Sequence, residues 1–188
     1  MSKHDDLKLV RSVALDPKSR TSQVLVKIMF REFLDREPVW ETSSSDVRAM
    51  LKDYDAALMI GDPAMNISSE EFHVFDLASL WQQFTDTGFV FAMWMTRSET
   101  EWASGKVDFA GARDEGLENI ELIIDQYERS IELPRAELRK YLTENISFKV
   151  DEKLELGMRL YFELARKHRL ISGNRPLEFA RLGVFERD

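Results

Sequence analysis

The sequence contains no cysteine. This absence excludes disulfide frameworks, thiolate metal sites and cysteine nucleophiles together. Histidine is almost as scarce, since His4, His73 and His168 lie far apart and lack the paired spacing that metal sites on one helix use. We therefore expect neither a bound metal nor a cofactor.

Long stretches of one character are also missing. No run of lysines or arginines stands out in a chain whose net charge is −8, so no nucleic-acid partner is expected. No uncharged apolar run approaches the roughly 20 residues that span a bilayer, and the opening sequence MSKHDDLKLV lacks the apolar core of a signal peptide. We expect a cytoplasmic location and no membrane partner.

What the chain does have is a 44% apolar content over 188 residues, enough for a full core in one domain or for two small ones. Strands are predicted at the apolar runs 10–15, 39–40, 56–60, 88–95 and 146–150. The run 56–60 is typical of a buried parallel strand, and the run 88–95, the most apolar in the chain, predicts a central one. Helical periodicity between these runs indicates an α/β fold whose second half is mainly helical.

One stretch, residues 10–30, combines a strand, a tight loop and a helix start. Asp16 and Pro17 end the apolar run, and the polar cluster 18–22 leads directly into an apolar-periodic helix. The first turn of a helix offers unpaired backbone N–H groups and the positive end of the helix dipole, so this cluster predicts an anion seat. The alternative is that Ser19 or Thr21 is only an N-cap.

A second candidate lies where the run 56–60 ends. Gly61, Asp62 and Pro63 follow it, and an aspartate before a proline is typical of the N-cap and first position of a helix. In open α/β sheets the carboxyl ends of the strands form the edge where ligands bind. Asp62 is therefore an acid or base candidate, with a plain N-cap as the alternative.

Four segments together resemble the chorismate dehydratases of the futalosine route to menaquinone. They are SVALDPKSRTS (12–22), YDAALMIGDPAM (54–65), DLASLWQQFTDTGFVFAMW (76–94) and YLTENISFKVDEKLELGMRLYFELARKHRLI (141–171). The resemblance implies a two-lobe fold like that of type II periplasmic binding proteins. Residues 1–88 would form the middle α/β lobe with the anion seat, and residues 89–188 the return strand and the mainly helical remainder of the outer lobe.

The resemblance also implies a reaction and a site. The family removes water from chorismate to give 3-[(1-carboxyvinyl)oxy]benzoate, and the two carboxylates of chorismate need cationic or N–H donors. The substrate-binding residues expected in this sequence are Ser19, Arg20, Thr21, Ser22, Ile60, Gly61, Asp62 and Phe89. Arg20 either forms a fork with a carboxylate or points outward as a solvated charge. Because aromatisation drives the elimination, one proton moved by Asp62 or by a carboxylate of the substrate would suffice.

Two departures from the family pattern open alternatives. Family members are longer at the front, so we expect the N-terminal part of the outer lobe to be missing, and either a homodimer that completes this lobe or a fragment of a longer enzyme. Residues 85–89 read Thr-Asp-Thr-Gly-Phe where the family has Thr-Gly-Leu-Pro-Phe, which predicts a more flexible, more polar crossing. The alternative function is a non-catalytic module that binds small carboxylates.

Overall fold

The structure, a computed structural model, describes residues 1–43, 46–61, 71–95, 108–131, 133–173 and 176–178. The chain divides into two compact units. The first comprises residues 1–91 and 151–174, and the second comprises residues 92–150 and 175–188.

The first unit contains a parallel sheet of three strands. They are β1 (Ser12–Leu15), β2 (Val39–Thr42) and β3 (Ala56–Leu58), in the order β2-β1-β3. The central strand is almost entirely buried, as its uninterrupted apolar sequence requires. Because the strands are parallel, Leu15, Thr42 and Leu58 end at the same edge of the sheet.

Helices make up most of the remaining described residues. In chain order they are α1 (Arg20–Ile28), α2 (Val47–Asp53), α3 (Leu77–Thr85), α4 (Phe109–Glu118), α5 (Ile120–Ile131), α6 (Arg135–Lys140) and α7 (Glu152–Lys167). A π-helical turn, Met29–Phe33, continues α1, and a second one, Tyr141–Asn145, continues α6.

Polar side chains cap the amino ends of four of these helices. Ser19, Asp46, Asp76 and Asp151 each accept a hydrogen bond from the backbone N–H three residues ahead. This is the usual N-cap geometry, and each such cap stabilises a helix by about 1 kcal/mol. The predicted start of α1 is thereby confirmed.

The core of the first unit lies on both sides of α1. Val26 and Phe30 pack against the sheet, whereas Leu25 and Ile28 face Trp81 of α3 and the buried face of α7. Burying each of these large side chains contributes about 1.5–3 kcal/mol. Helix α7, which lies between the two parts of the second unit in sequence, therefore packs within the first unit.

Two predicted strands are wrong. Residues 88–95 form no strand, and Trp94 and Met95 are 80% and 86% exposed. Residues 146–150 are also irregular, with Phe148 and Val150 about half exposed. A strand needs a neighbour to pair with its backbone, and the described part of the chain places no strand beside either segment. An apolar run does not by itself show whether a partner strand is present.

The described residues of the second unit are mainly helical, as predicted. Arg135 at the start of α6 forms ion pairs with Glu121, Asp125 and Glu128 along α5. These groups are partly exposed, so each pair contributes little stability. The mixed α/β class is confirmed, while the two-lobe fold and the division at residue 88 stay predictions.

Candidate functional site

The candidate site lies at the edge of the sheet where its parallel strands end. From this edge β1 turns through residues 16–19 into α1, β2 leads to the loop before α2, and β3 leads to Met59, Ile60 and Gly61. Parallel α/β sheets bind ligands at this edge because the loops and helix starts converge there.

The loop between β1 and α1 is held by hydrogen bonds from Asp16. The backbone N–H of Asp16 donates to the Leu58 carbonyl at 3.3 Å, and its Oδ1 accepts from the Lys18 N–H at 2.9 Å. Its carbonyl accepts from the Gln23 side chain at 2.8 Å and from the Ser19 N–H at 3.4 Å. The sequence predicts only that Asp16 ends the strand. An aspartate whose side chain can accept from the backbone N–H two residues ahead is nevertheless a recognisable turn signal.

Ser19 is the N-cap of α1, and only 4% of it is exposed. Its Oγ accepts a hydrogen bond from the Ser22 N–H at 3.3 Å. A serine hydroxyl has one hydrogen to donate as well as its lone pairs, so this cap still leaves the hydrogen for an anion. The first N–H groups of α1 lack partners within the helix. The capping interpretation is thus confirmed, and it is compatible with anion binding.

Arg20 begins α1 and is exposed. It forms no ion pair or side-chain hydrogen bond with any residue that the structure describes. This exposure is compatible with both roles that the sequence leaves open for Arg20, a fork with a ligand carboxylate or a solvated charge. An exposed guanidinium beside the first turn still adds positive charge to this surface.

The end of β3 contributes two of the predicted residues. Ile60 is 40% exposed, and Gly61 has a φ of 74°, in the left-handed region that favours glycine. Asp62, the weak catalytic candidate, lies outside the described residues. The positive φ turns the chain sharply at the carboxyl edge of the sheet.

Phe89 is connected to the first turn of α1 through Tyr161 of α7. The rings of Phe89 and Tyr161 pack edge to face with centroids 5.3 Å apart, and Trp81 packs on Phe89 at 5.6 Å. The Tyr161 hydroxyl donates to the Thr21 carbonyl at 3.4 Å. Burial raises the pKa of Tyr161 to about 12, so it remains a neutral donor at ordinary pH.

Two negative findings concern the described part of the chain. No group of three or more histidines, aspartates and glutamates there is arranged to hold a metal ion. None of its helices has both the length and the apolar character needed to cross a membrane.

Comparison with known proteins adds two findings. A family model described as menaquinone biosynthesis matches residues 1–167. A chorismate dehydratase from Thermus thermophilus is similar, with 29% identity over 169 residues that cover 80% of this chain and 61% of the relative. The chain therefore spans about three-fifths of the length of this relative.

Proposed function

The chain belongs to the menaquinone-biosynthesis family, and on this basis we propose that it acts as a chorismate dehydratase-like lyase. The reaction would remove water from chorismate and give 3-[(1-carboxyvinyl)oxy]benzoate. The family match over residues 1–167 carries this proposal. The similarity to the Thermus chorismate dehydratase supports the choice of substrate.

In this proposal one substrate carboxylate binds at the anion seat, residues 19–22. The Ser19 hydroxyl and the free N–H groups of the first turn would donate to it, with Arg20 adding charge from the exposed side. Hydrogen bonds to a charged group contribute about 1.5–3 kcal/mol each. The helix dipole adds about 0.3–1 kcal/mol. Two such bonds suffice to orient a small dicarboxylate.

The proposed contacts to the rest of the substrate come from the neighbouring segments. Ile60 supplies an exposed apolar side chain, and Gly61 allows the backbone a close approach. Phe89 supplies an aromatic ring joined to the seat through Tyr161. An anion seat next to apolar surface suits a ring that carries a carboxylate.

Once the substrate is oriented, the protein needs to assist only one proton transfer. The ring hydroxyl leaves and takes with it, as water, the proton from the neighbouring carbon, and the new double bond completes the aromatic ring. We assign the proton transfer to Asp62 or to a carboxylate of the substrate. The two-lobe fold, the cytoplasmic location and a homodimer belong to the same proposal.

A second candidate function is a non-catalytic module that binds small carboxylates. It is favoured by the state of Asp16, the carboxylate that the structure describes beside the seat. Asp16 is buried and its Oδ1 is occupied by the Lys18 N–H. A carboxylate used to shape a loop is poorly placed to move a substrate proton.

Incubation of the purified chain with chorismate separates the two candidates. The loss of chorismate and the appearance of an aromatic product are followed by ultraviolet absorption and proton NMR, with folding checked by circular dichroism. We expect the product to form faster than in buffer alone. Binding without turnover would support the carboxylate-binding module, and a folded protein that neither binds nor converts chorismate would contradict both.

A further inference from the structure

Tyr161 has a hydroxyl on a helix face that otherwise buries only apolar groups. The other buried residues of α7 are Gly157, Met158, Leu164 and Ala165. Tyr161 is 8% exposed, and its ring packs against Phe89 and Phe162 as a phenylalanine ring would. Packing therefore accounts for the ring but not for the hydroxyl.

The hydroxyl contacts one backbone atom of the anion seat. Its partner, the Thr21 carbonyl at 3.4 Å, lies in the first turn of α1, at the amino end of the helix. The same side chain touches Phe89 through its ring. Tyr161 thus fixes two separate segments of the candidate site relative to each other, although they are far apart in sequence.

We propose that Tyr161 is a positioning residue that holds the first turn of α1 in place relative to Phe89, and so strengthens the binding of a carboxylate at the anion seat. This inference rests on the proposed function, because both use the same seat. A displacement of about 1 Å between groups that orient a substrate is enough to weaken binding or rate markedly. Removing the hydroxyl frees the first turn of α1 while the ring keeps its packing.

The test compares Tyr161→Phe with Tyr54→Phe. Tyr54 is a half-buried tyrosine that caps the end of α2, so its variant removes the same group away from the seat. Dissociation constants are measured by calorimetry for chorismate and for benzoate, the simplest ring carboxylate. For chorismate, KM and kcat are measured as well, and thermal melting checks the fold of each variant.

We expect Tyr161→Phe to raise KM and both dissociation constants about two- to tenfold, the effect of one neutral hydrogen bond. The kcat should stay unchanged, and Tyr54→Phe should behave like the wild type. A lower melting temperature with unchanged dissociation constants would mean a purely structural role and would overturn the inference.

The two probes keep this inference separate from the proposed reaction. If the wild type binds benzoate but leaves chorismate unconverted, the lyase proposal fails while the benzoate comparison still tests Tyr161. If Tyr161→Phe binds benzoate as tightly as the wild type, the inference fails whatever happens to chorismate. A wild type that binds neither ligand would overturn both.

Discussion

Replacing Ser19 by alanine should affect stability and ligand binding by separate, calculable amounts. The variant loses the hydrogen bond from the Ser22 N–H that caps α1. A lost N-cap costs about 1 kcal/mol, which corresponds to a fall of about 2–4 °C in Tm for a chain of this length. It also loses the hydroxyl that we assign to the ligand carboxylate. Hydrogen bonds to charged groups are worth about 1.5–3 kcal/mol, so the dissociation constant should rise about 10- to 150-fold.

Asp76→Ala is the matched control for the cap. Asp76 begins α3 and its Oδ1 accepts from the Ser79 N–H at 2.7 Å, so the variant loses a bond of the same kind. His73, three residues before Asp76, pairs with Ser2, which in turn pairs with Ala56 at the amino end of β3. This is the edge of the sheet opposite to the anion seat, so Asp76 follows a segment that lies away from the seat. The control should therefore lower Tm by a similar amount and leave ligand binding unchanged.

The assay combines thermal melting with calorimetric titration of chorismate and benzoate, well below the Tm of each variant. Ser19→Gly adds a third comparison, since glycine retains most of the capping preference but has no hydroxyl. It should melt close to the wild type and bind as weakly as Ser19→Ala. If Ser19→Ala and Asp76→Ala lower Tm equally and neither changes the dissociation constants, Ser19 is only an N-cap and the proposed site is refuted.

Two further predictions concern stability. Gly157→Ala should destabilise the protein by about 3 kcal/mol or more in urea denaturation, because its Cβ would lie 1.9 Å from the Gly88 carbonyl oxygen. Gly116→Ala, whose new Cβ would meet no described residue within 4 Å beyond its chain neighbours and its own helix backbone, should gain about 0.5–1 kcal/mol, and equal effects of the two changes would disprove the close contact. A hydrogen bond from Lys167 lowers the pKa of Glu32 from its ordinary value of 4.5, against the opposing effect of burial. The stabilisation that ionised Glu32 gives the folded protein is complete above its ordinary pKa and is lost as the pH falls through its lowered pKa. Between about pH 5 and pH 3, the free energy of unfolding should therefore fall less in Glu32→Gln than in the wild type, and parallel pH profiles would rule out this linkage.

The local signals in the sequence predicted the part of the fold around the site. The β1 strand, the cap at Ser19 and the helix that follows depend on neighbouring residues, and the structure has all three as expected. The buried strand predicted at 56–60 is also present, but it ends at Leu58. The segment 88–95 failed because pairing of a strand depends on a partner elsewhere in the chain. Phe89 is half-buried against Trp81, yet the residues that follow it are exposed.

Residues 85–88, before Phe89, also make tertiary contacts that the sequence did not predict. The sequence predicts a more flexible and more polar segment, since Thr87 and Gly88 stand where the family has an apolar residue and a proline. In the structure the Thr87 hydroxyl accepts from the Trp81 indole N–H at 2.9 Å and contacts the Thr85 hydroxyl at 2.8 Å. The polar side chains are thus engaged, through contacts that spacing along the chain did not disclose.

For the candidate site, sequence identified Ser19 and Gly61 by their turn and cap chemistry. It missed the roles of Asp16 and Tyr161. The Asp16 backbone contacts Leu58 on another strand, and the Tyr161 hydroxyl reaches Thr21 from a helix that is remote in sequence. Such roles depend on tertiary packing, which a pattern of apolar spacing does not specify.

The most direct test of the proposed anion seat is a titration of the ¹⁵N-labelled protein with chorismate, followed by amide chemical shifts. We predict that the largest shifts belong to the N–H groups of Arg20, Thr21 and Ser22, with smaller ones at Gly61 and Phe89. The shifts at the seat should disappear in Ser19→Ala. Saturable shifts confined to other parts of the chain, with residues 19–22 unchanged, would contradict this prediction.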